Sequence, residues 1–252
     1  MPDLQPAIPA ATLVIFRTRS DGPPELLMVE RSMGMAFAAG ALVFPGGRID
    51  PGDHDLAAEQ DGDPDDTAAR IAAIRETIEE AGLPIGLEPQ PAPGALVALR
   101  EALHAGAPLR DALAAAGTQL ALHRLTPFAR WLPQHQGMRI FDTRFYLAEL
   151  PADAPRASVD ATENVRLLWA SAAEVLAEAD AGRATIIFPT RRNLERLAQF
   201  GSFADAAAHA RAIPVRTITP FAEERGGRQH LCIPAGLGYP VTGEPMDDTV
   251  RG

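Results

Sequence analysis

Arg75-Glu76-Thr77-Ile78-Glu79-Glu80-Ala81-Gly82-Leu83 is the stretch on which the reading of this chain turns. On a helix advancing about 100° per residue, Glu76, Glu79 and Glu80 share one face. The same projection sends Ile71, Ile74, Ile78 and Ala81 to the other side, so the helix can bury an apolar stripe and present three carboxylates outward. Like charges at neighbouring helical positions repel, and no Lys falls between Ala68 and Gly82 to relieve them. A divalent cation would. Oxygen donors without adjacent Cys or His point to Mg²⁺ or Mn²⁺ and away from zinc. Taken alone, an acidic helix face is usually a solvated surface.

Here the acids have company. The apolar run Ala41-Leu42-Val43-Phe44 is followed by Pro45-Gly46-Gly47-Arg48-Ile49-Asp50-Pro51-Gly52-Asp53. Glycines directly after a strand let the backbone come close to a ligand, where its amide and carbonyl groups can reach a metal or a phosphate.

Together these residues resemble the Nudix hydrolases, whose box reads Gly, five residues, Glu, seven residues, Arg-Glu-apolar-x-Glu-Glu-x-Gly-apolar. Gly47 matches the first glycine, Arg75 to Leu83 match the second half with Thr77 in the first apolar slot, and Asp53 falls where the first Glu belongs. The first acid is thus Asp, and 21 residues separate it from Arg75, 14 more than the pattern has. Residues 54–66 are polar and acidic with Gly62 and Pro64, and they read as a surface excursion that leaves both ends in place.

The resemblance implies an α/β fold, an α/β/α sandwich around a mixed sheet with inserted helices and a β-rich tail. It implies a divalent metal, Mg²⁺ or Mn²⁺, held by Glu76, Glu79 and Glu80, with Gly47 and Glu163 as further ligands. Glu76, Glu79 and Arg75 take the catalytic roles. Arg75 is expected to orient the acids as an ion-pair partner. Asp53, with its shorter arm, is expected to orient the site as well.

A second signature precedes the box. Leu27-Met28-Val29-Glu30-Arg31-Ser32, then Gly40, then Phe44-Pro45-Gly46-Gly47 is similar to the coenzyme A motif of Nudix enzymes that cleave CoA, with Ala36 where that motif has a basic residue. The run from Met35 to Gly47 looks closer to the peroxisomal acyl-CoA diphosphatase branch and its bacterial relatives, a branch that also tends to carry an interrupted box and a segment like Arg139-Ile140-Phe141-Asp142-Thr143-Arg144-Phe145-Tyr146. Arg31, Phe37, Gly46, Gly47, Arg139 and Arg144 are then the substrate-binding candidates.

Composition fits a soluble enzyme. At 252 residues and 46% hydrophobic the chain can bury a full core. A net charge of −10 argues against nucleic acid as a partner, since no basic stripe replaces phosphate counterions. The lone Cys232 excludes a disulfide framework, no apolar run approaches a membrane span, and no signal or peroxisomal address is visible. A cytoplasmic location and a small-molecule nucleoside diphosphate derivative as partner are expected, with a homodimer possible.

Along the chain, residues 11–17 and 25–30 read as the first strands, across a turn at residues 20–24. Residues 95–116 read as two helices broken at Gly106-Ala107-Pro108, and strands follow at 120–131 and 138–150. Helices are expected over 171–181 and 191–200, the latter capped by Phe188-Pro189-Thr190 and starting with Arg191-Arg192, read as a solvated helix start in preference to a phosphate contact. The domain is expected over 1–212, with insertions at 54–66 and about 95–117, and an extension over 213–252 carrying a hairpin turn at Glu224-Arg225-Gly226-Gly227.

The reaction implied is Mg²⁺-dependent hydrolysis of CoA or acyl-CoA to 3′,5′-ADP and (acyl-)4′-phosphopantetheine. A pyrophosphatase acting on ADP-ribose or NADH is the rival of the same class. A non-catalytic nucleotide-sensing module is the rival of another class, and the intact Glu76-x-x-Glu79-Glu80 counts against it.

Overall fold

The computed structural model describes residues 6–34, 38–133, 139–159 and 164–248. β1 (Ile8–Arg17) and β2 (Glu25–Arg31) form an antiparallel pair as expected. β3 (Leu42–Val43) pairs with β2, and β4 (Gly46–Arg48) pairs with β1.

Two helices follow, α1 (Pro51–Ala57) and α2 (Pro64–Ala81). Beyond the short β5 (Leu87–Glu88) come α3 (Pro93–His104) and α4 (Leu109–Ala115), the expected helical pair. The single strand expected over 120–131 is divided: β6 (Gln119–Leu120) pairs with β5, a 3₁₀ turn spans Leu122–Arg124, and only β7 (Thr126–Trp131) joins the main sheet.

β8 (Phe141–Glu149) runs parallel to β1 and antiparallel to β7, while β9 (Asn164–Ser171) is antiparallel to β2. α5 (Ala172–Asp180), α6 (Phe188–Leu197) and α7 (Phe203–Ala212) complete the helices. α6 contains Phe188, Pro189 and Thr190 in its first turn, and Ile187 is the N-cap.

The tail supplies β10 (Thr217–Ile218), parallel to β7, and a three-stranded sheet of β11 (Phe221–Arg225), β12 (Arg228–Cys232) and β13 (Gly243–Pro245). Gly226 and Gly227 both take positive φ in the two-residue turn between β11 and β12, the conformation such a hairpin requires.

The main sheet is mixed, in the order β10-β7-β8-β1-β2-β3, with β4 on β1 and β9 on β2. Both faces are covered, as the alternation along β1 dictates. Ala11, Leu13 and Ile15 point into one core with Ile71, Ile74 and Ile78 of α2 and Leu99 and Leu103 of α3. Val14 and Phe16 point into the other core with Phe188, Leu194 and Leu197 of α6 and Ala206 of α7. The tail is part of this second core, since Ile218, Leu231, Ile233 and Tyr239 are buried in it. No helix of the described residues is long and apolar enough to cross a membrane.

Two local expectations change. Residues 54–66 are an exposed excursion only in part: residues 58–63 form an exposed turn, but Leu56 and Ala57 at the end of α1 are buried against α2, and Pro64 opens α2 behind the N-cap Asp63, which accepts from Asp66 N. The apolar residues inside an otherwise polar segment outweighed its composition. Nor is Arg192 solvated. It is buried at 2% exposure and donates to Glu195 and to Glu244 of β13, fastening the tail to α6.

Candidate active site

α2 carries the acids, and it is buried nearly all round, with Glu76 and Glu79 the partly exposed positions of its second half. The acidic face therefore looks into the protein, toward the Gly46–Gly47 loop, and Glu80 is buried outright. α2 ends at Gly82, whose φ of +65° is the left-handed conformation that stops a helix without strain in glycine.

Backbone geometry brings the loop onto the acids. Gly46 pairs with Thr12 and Gly47 with Ala11 across β4 and β1. Gly46 N donates to Glu80 Oε2 at 2.9 Å, and Asn164 Nδ2 donates to Glu80 Oε1 at 2.9 Å. A Cβ built on Gly47 would stand 2.3 Å from Glu76 Oε1, so only glycine leaves room for that carboxylate.

Arg75 binds the remaining acids. Its Nε and Nη2 donate to the two oxygens of Asp53 at 3.1 and 2.9 Å, and its Nη1 donates to Glu76 at 2.9 Å and Glu79 at 3.2 Å. Nη2 also donates to the Arg48 carbonyl at 2.9 Å. Burial opposes the Arg75 charge, but Asp53, Glu76 and Glu79 together hold its pKa above the ordinary value. Asp53 is itself 2% exposed and accepts from Asp50 N, so it closes the turn into α1 while orienting Arg75.

The electrostatics are those of a cluster short of positive charge. Burial pushes the Glu76 pKa up to about 8, against the pull of Arg75 and with Glu80 and Glu79 adding to the rise. Burial also raises Glu79, against Arg75 and His104. Among the described residues no three His, Cys, Asp or Glu side chains converge as a metal cage, because Arg75 stands between Glu76 and Glu79 while Gly46 and Asn164 hold Glu80. The donor set nonetheless suits a hard divalent cation: three carboxylates, two of them raised by burial, beside a glycine that admits close approach.

The other candidates are placed unevenly. Arg31 pairs with Asn164 across β2 and β9, one strand from the residue that holds Glu80, and its Nε is buried without a hydrogen-bond partner among the described residues. Arg144 lies opposite Ala11, two strands from Gly47, yet its guanidinium turns to Asp66 at 3.6 Å. Asp66 precedes Glu76 by ten residues, about 15 Å along the helix. Arg139 is exposed just ahead of β8. Phe37 and Glu163 lie outside the described residues.

Asn164, which holds Glu80, and Arg100, which meets the last carbonyls of α2, are not legible as such in the sequence. Asn164 adjoins Glu163, its one local signal, and nothing in the sequence around Arg100 ties it to α2.

The fold and the acid-bearing helix against a glycine loop define a Nudix-type α/β/α sandwich. No family model matches the chain. A Nudix hydrolase from Alicyclobacillus acidocaldarius is similar, at 28% identity and a TM-score of 0.67 over 81% of this chain and 96% of that one. More distant likenesses are a MutT protein from Methanosarcina mazei Go1, at 18% identity and a TM-score of 0.42 over 78% and 97% of the two chains. The Nudix domain of Shewanella oneidensis NrtR, crystallised with ADP-ribose, is 14% identical, at a TM-score of 0.39 over 69% and 78%. By structural match the chain groups with the Nudix hydrolase superfamily, and of these three the Alicyclobacillus protein alone is similar enough to bear on function.

Proposed function

We propose that this protein hydrolyses the diphosphate of a nucleoside diphosphate derivative, with CoA or acyl-CoA as substrate and Mg²⁺ or Mn²⁺ as cofactor. The observation that carries the reading is the meeting of Glu80 and Glu76 with the Gly46–Gly47 loop, through Gly46 N and the Gly47 clearance, with Glu79 tied beside them by Arg75. The likeness to a Nudix hydrolase at 28% identity supports the same chemistry.

Glu76, Glu79 and Glu80 would hold the cation, with Gly47 and Glu163 as further ligands. When bound, the cation supplies charge neutralisation at the diphosphate and activates the attacking water. Arg75, tied to Asp53, fixes the carboxylates of Glu76 and Glu79. Gly46 N and Asn164 fix Glu80. Glu76 or Glu163 takes the proton from the water. Arg31, beside Asn164, together with Phe37, Arg139 and Arg144, would bind the nucleotide end, where an arginine fork suits the 3′-phosphate of CoA.

The test is a screen of the purified chain against CoA, acyl-CoA, dephospho-CoA, NADH, ADP-ribose and sugar nucleotides, with product masses. The expected result is cleavage of CoA to 3′,5′-ADP and 4′-phosphopantetheine, with dephospho-CoA poorer in kcat/KM and the preference reduced by Arg31→Ala or Arg139→Ala. Faster turnover of dephospho-CoA, NADH or ADP-ribose under matched Mg²⁺ removes the CoA assignment and leaves the diphosphate chemistry. No turnover of any of them removes both.

A further inference from the structure

We propose that Arg100, on the inserted helix α3, is a positioning residue for the acids of α2: its guanidinium ties the backbone of Glu79 and Glu80 to Ser158. The inference rests on the reading of Glu76, Glu79 and Glu80 as the cation-holding acids.

The last carbonyls of a helix have no partner within it and carry the negative end of its dipole. α2 has no basic residue in its own last turn to meet them. Arg100 meets them from outside. Its Nε donates to the Glu79 carbonyl at 2.9 Å and its Nη2 to the Glu80 carbonyl at 3.2 Å. The same fork continues to Ser158, Nη2 donating to its carbonyl at 2.9 Å and Nη1 to its Oγ at 2.8 Å. Ser158 N in turn donates to the Ala81 carbonyl at 3.0 Å, and His104, one turn further on α3, sets Nε2 3.1 Å from the Glu79 carbonyl.

Gly82 makes the approach possible. It reverses the chain in the left-handed conformation, and a Cβ built on it would stand only 3.0 Å from Arg100 Nη1. The terminal glycine of the box thus serves the turn and the clamp at once.

The consequence concerns geometry at the site. Glu80 is held by Gly46 on one strand and Asn164 on another, so the acids keep their arrangement only if the last turn of α2 that carries Glu79 and Glu80 holds its place. Arg100 joins that turn to Ser158 with one rigid planar group. A lysine, a single point charge on a flexible stem, can satisfy one carbonyl but not the set.

The experiment uses the full-length chain: wild type, Arg100→Gln, Arg100→Lys and, as a control of packing alone, Leu99→Ala, a buried residue of the same helix. Mn²⁺ binding is measured by calorimetry without substrate, amide exchange is followed over residues 76–82, and kcat and KM are measured on the substrate the screen selects. Arg100→Gln should weaken Mn²⁺ binding by about 10-fold or more, as loss of an outer-shell partner does, speed exchange at 79–82, and lower kcat with KM little changed. Arg100→Lys should recover part of the loss. Leu99→Ala should melt earlier yet bind Mn²⁺ within about twofold of wild type.

Wild-type Mn²⁺ affinity in a folded Arg100→Gln protein, or an equal loss in Leu99→Ala, overturns the proposal. If wild type binds no Mn²⁺ and hydrolyses nothing, the reading of the acids fails, and the clamp is then judged on exchange alone: unchanged protection in Arg100→Gln overturns it. If Arg100→Gln does not fold, Ser158→Ala, which removes one contact at the edge of the clamp, is judged by the same criteria.

Discussion

Asp53 and Arg75 face each other as a two-pronged pair, Nε to Oδ1 at 3.1 Å and Nη2 to Oδ2 at 2.9 Å, across 22 positions of sequence and with Asp53 2% exposed. The position where the Nudix pattern has its first Glu therefore supplies the partner that aims Arg75, and Arg75 aims Glu76 and Glu79.

Asp53→Ala leaves the buried guanidinium short of its main partner. Breaking such a pair from one side destabilises by on the order of 3 kcal/mol. Denaturant unfolding should show that loss, together with a fall in kcat, whereas a variant as stable as wild type would mean the pair contributes nothing net.

Glu79→Gln and Glu80→Gln should lower kcat by on the order of 10²-fold or more, because a neutral amide cannot hold cation charge at the transition state. Glu76→Gln should lose a comparable amount. Circular dichroism should show the fold retained. Full turnover at saturating Mg²⁺ in any of the three would sink the site assignment.

Gly47→Ala and Gly46→Ala should fail differently. The new Cβ at Gly47 strikes the Glu76 carboxylate, the far end of a flexible side chain, so the fold should survive while activity drops by on the order of 10²-fold. At Gly46, with φ of +155°, it strikes the Ala11 carbonyl at 2.3 Å and Thr12 Cα at 2.7 Å, which cannot yield, so stability should fall first. Paired melting and turnover measurements separate the two outcomes.

Stability without metal should decline as pH rises. Burial pushes Glu195 up to about 7, against the pull of Arg192 and Arg191, and Glu76 up to about 8, against Arg75. An acid whose pKa is higher folded than unfolded keeps its proton longer in the native state, so its contribution is intact below the ordinary value of 4.5 and lost as pH climbs through the folded value. Melts in EDTA from about pH 5 to about pH 8 should fall, and fall less in Glu195→Gln. A profile with the same slope in both proteins would contradict the burial of Glu195.

The insertion should tolerate change only at its tip. Residues 58–62 are exposed, and exchanging them for Gly/Ser should leave kcat unaltered. Leu56→Ala should cost about 2 kcal/mol, since Leu56 is packed against the core of α2. Replacing the whole of 54–66 also removes the cap Asp63 and Asp66, which holds Arg70 and Tyr146, so that variant should unfold at markedly lower denaturant.

What the sequence by itself determined is what local periodicity encodes. The spacing of Glu76, Glu79 and Glu80, the apolar stripe of Ile71, Ile74 and Ile78, the first two strands and the Gly226-Gly227 hairpin follow from helix, strand and turn geometry within one segment. These sufficed for the layered fold and for the acids of the candidate site.

Only the tertiary structure decided the partners. Which groups hold Glu80, where Arg144 points, that Asp53 grips Arg75, that Leu56 and Ala57 end a short helix packed on α2 and that Arg100 caps α2 all depend on contacts between residues far apart in the chain. Such contacts are selected when whole faces are buried together, and an isolated arginine or asparagine carries no periodic signal of the carbonyl or carboxylate it will meet. Arg192 makes the same point in reverse. Its place at a helix start reads as solvent-facing, and it is buried where the tail folds back and Glu244 accepts from it.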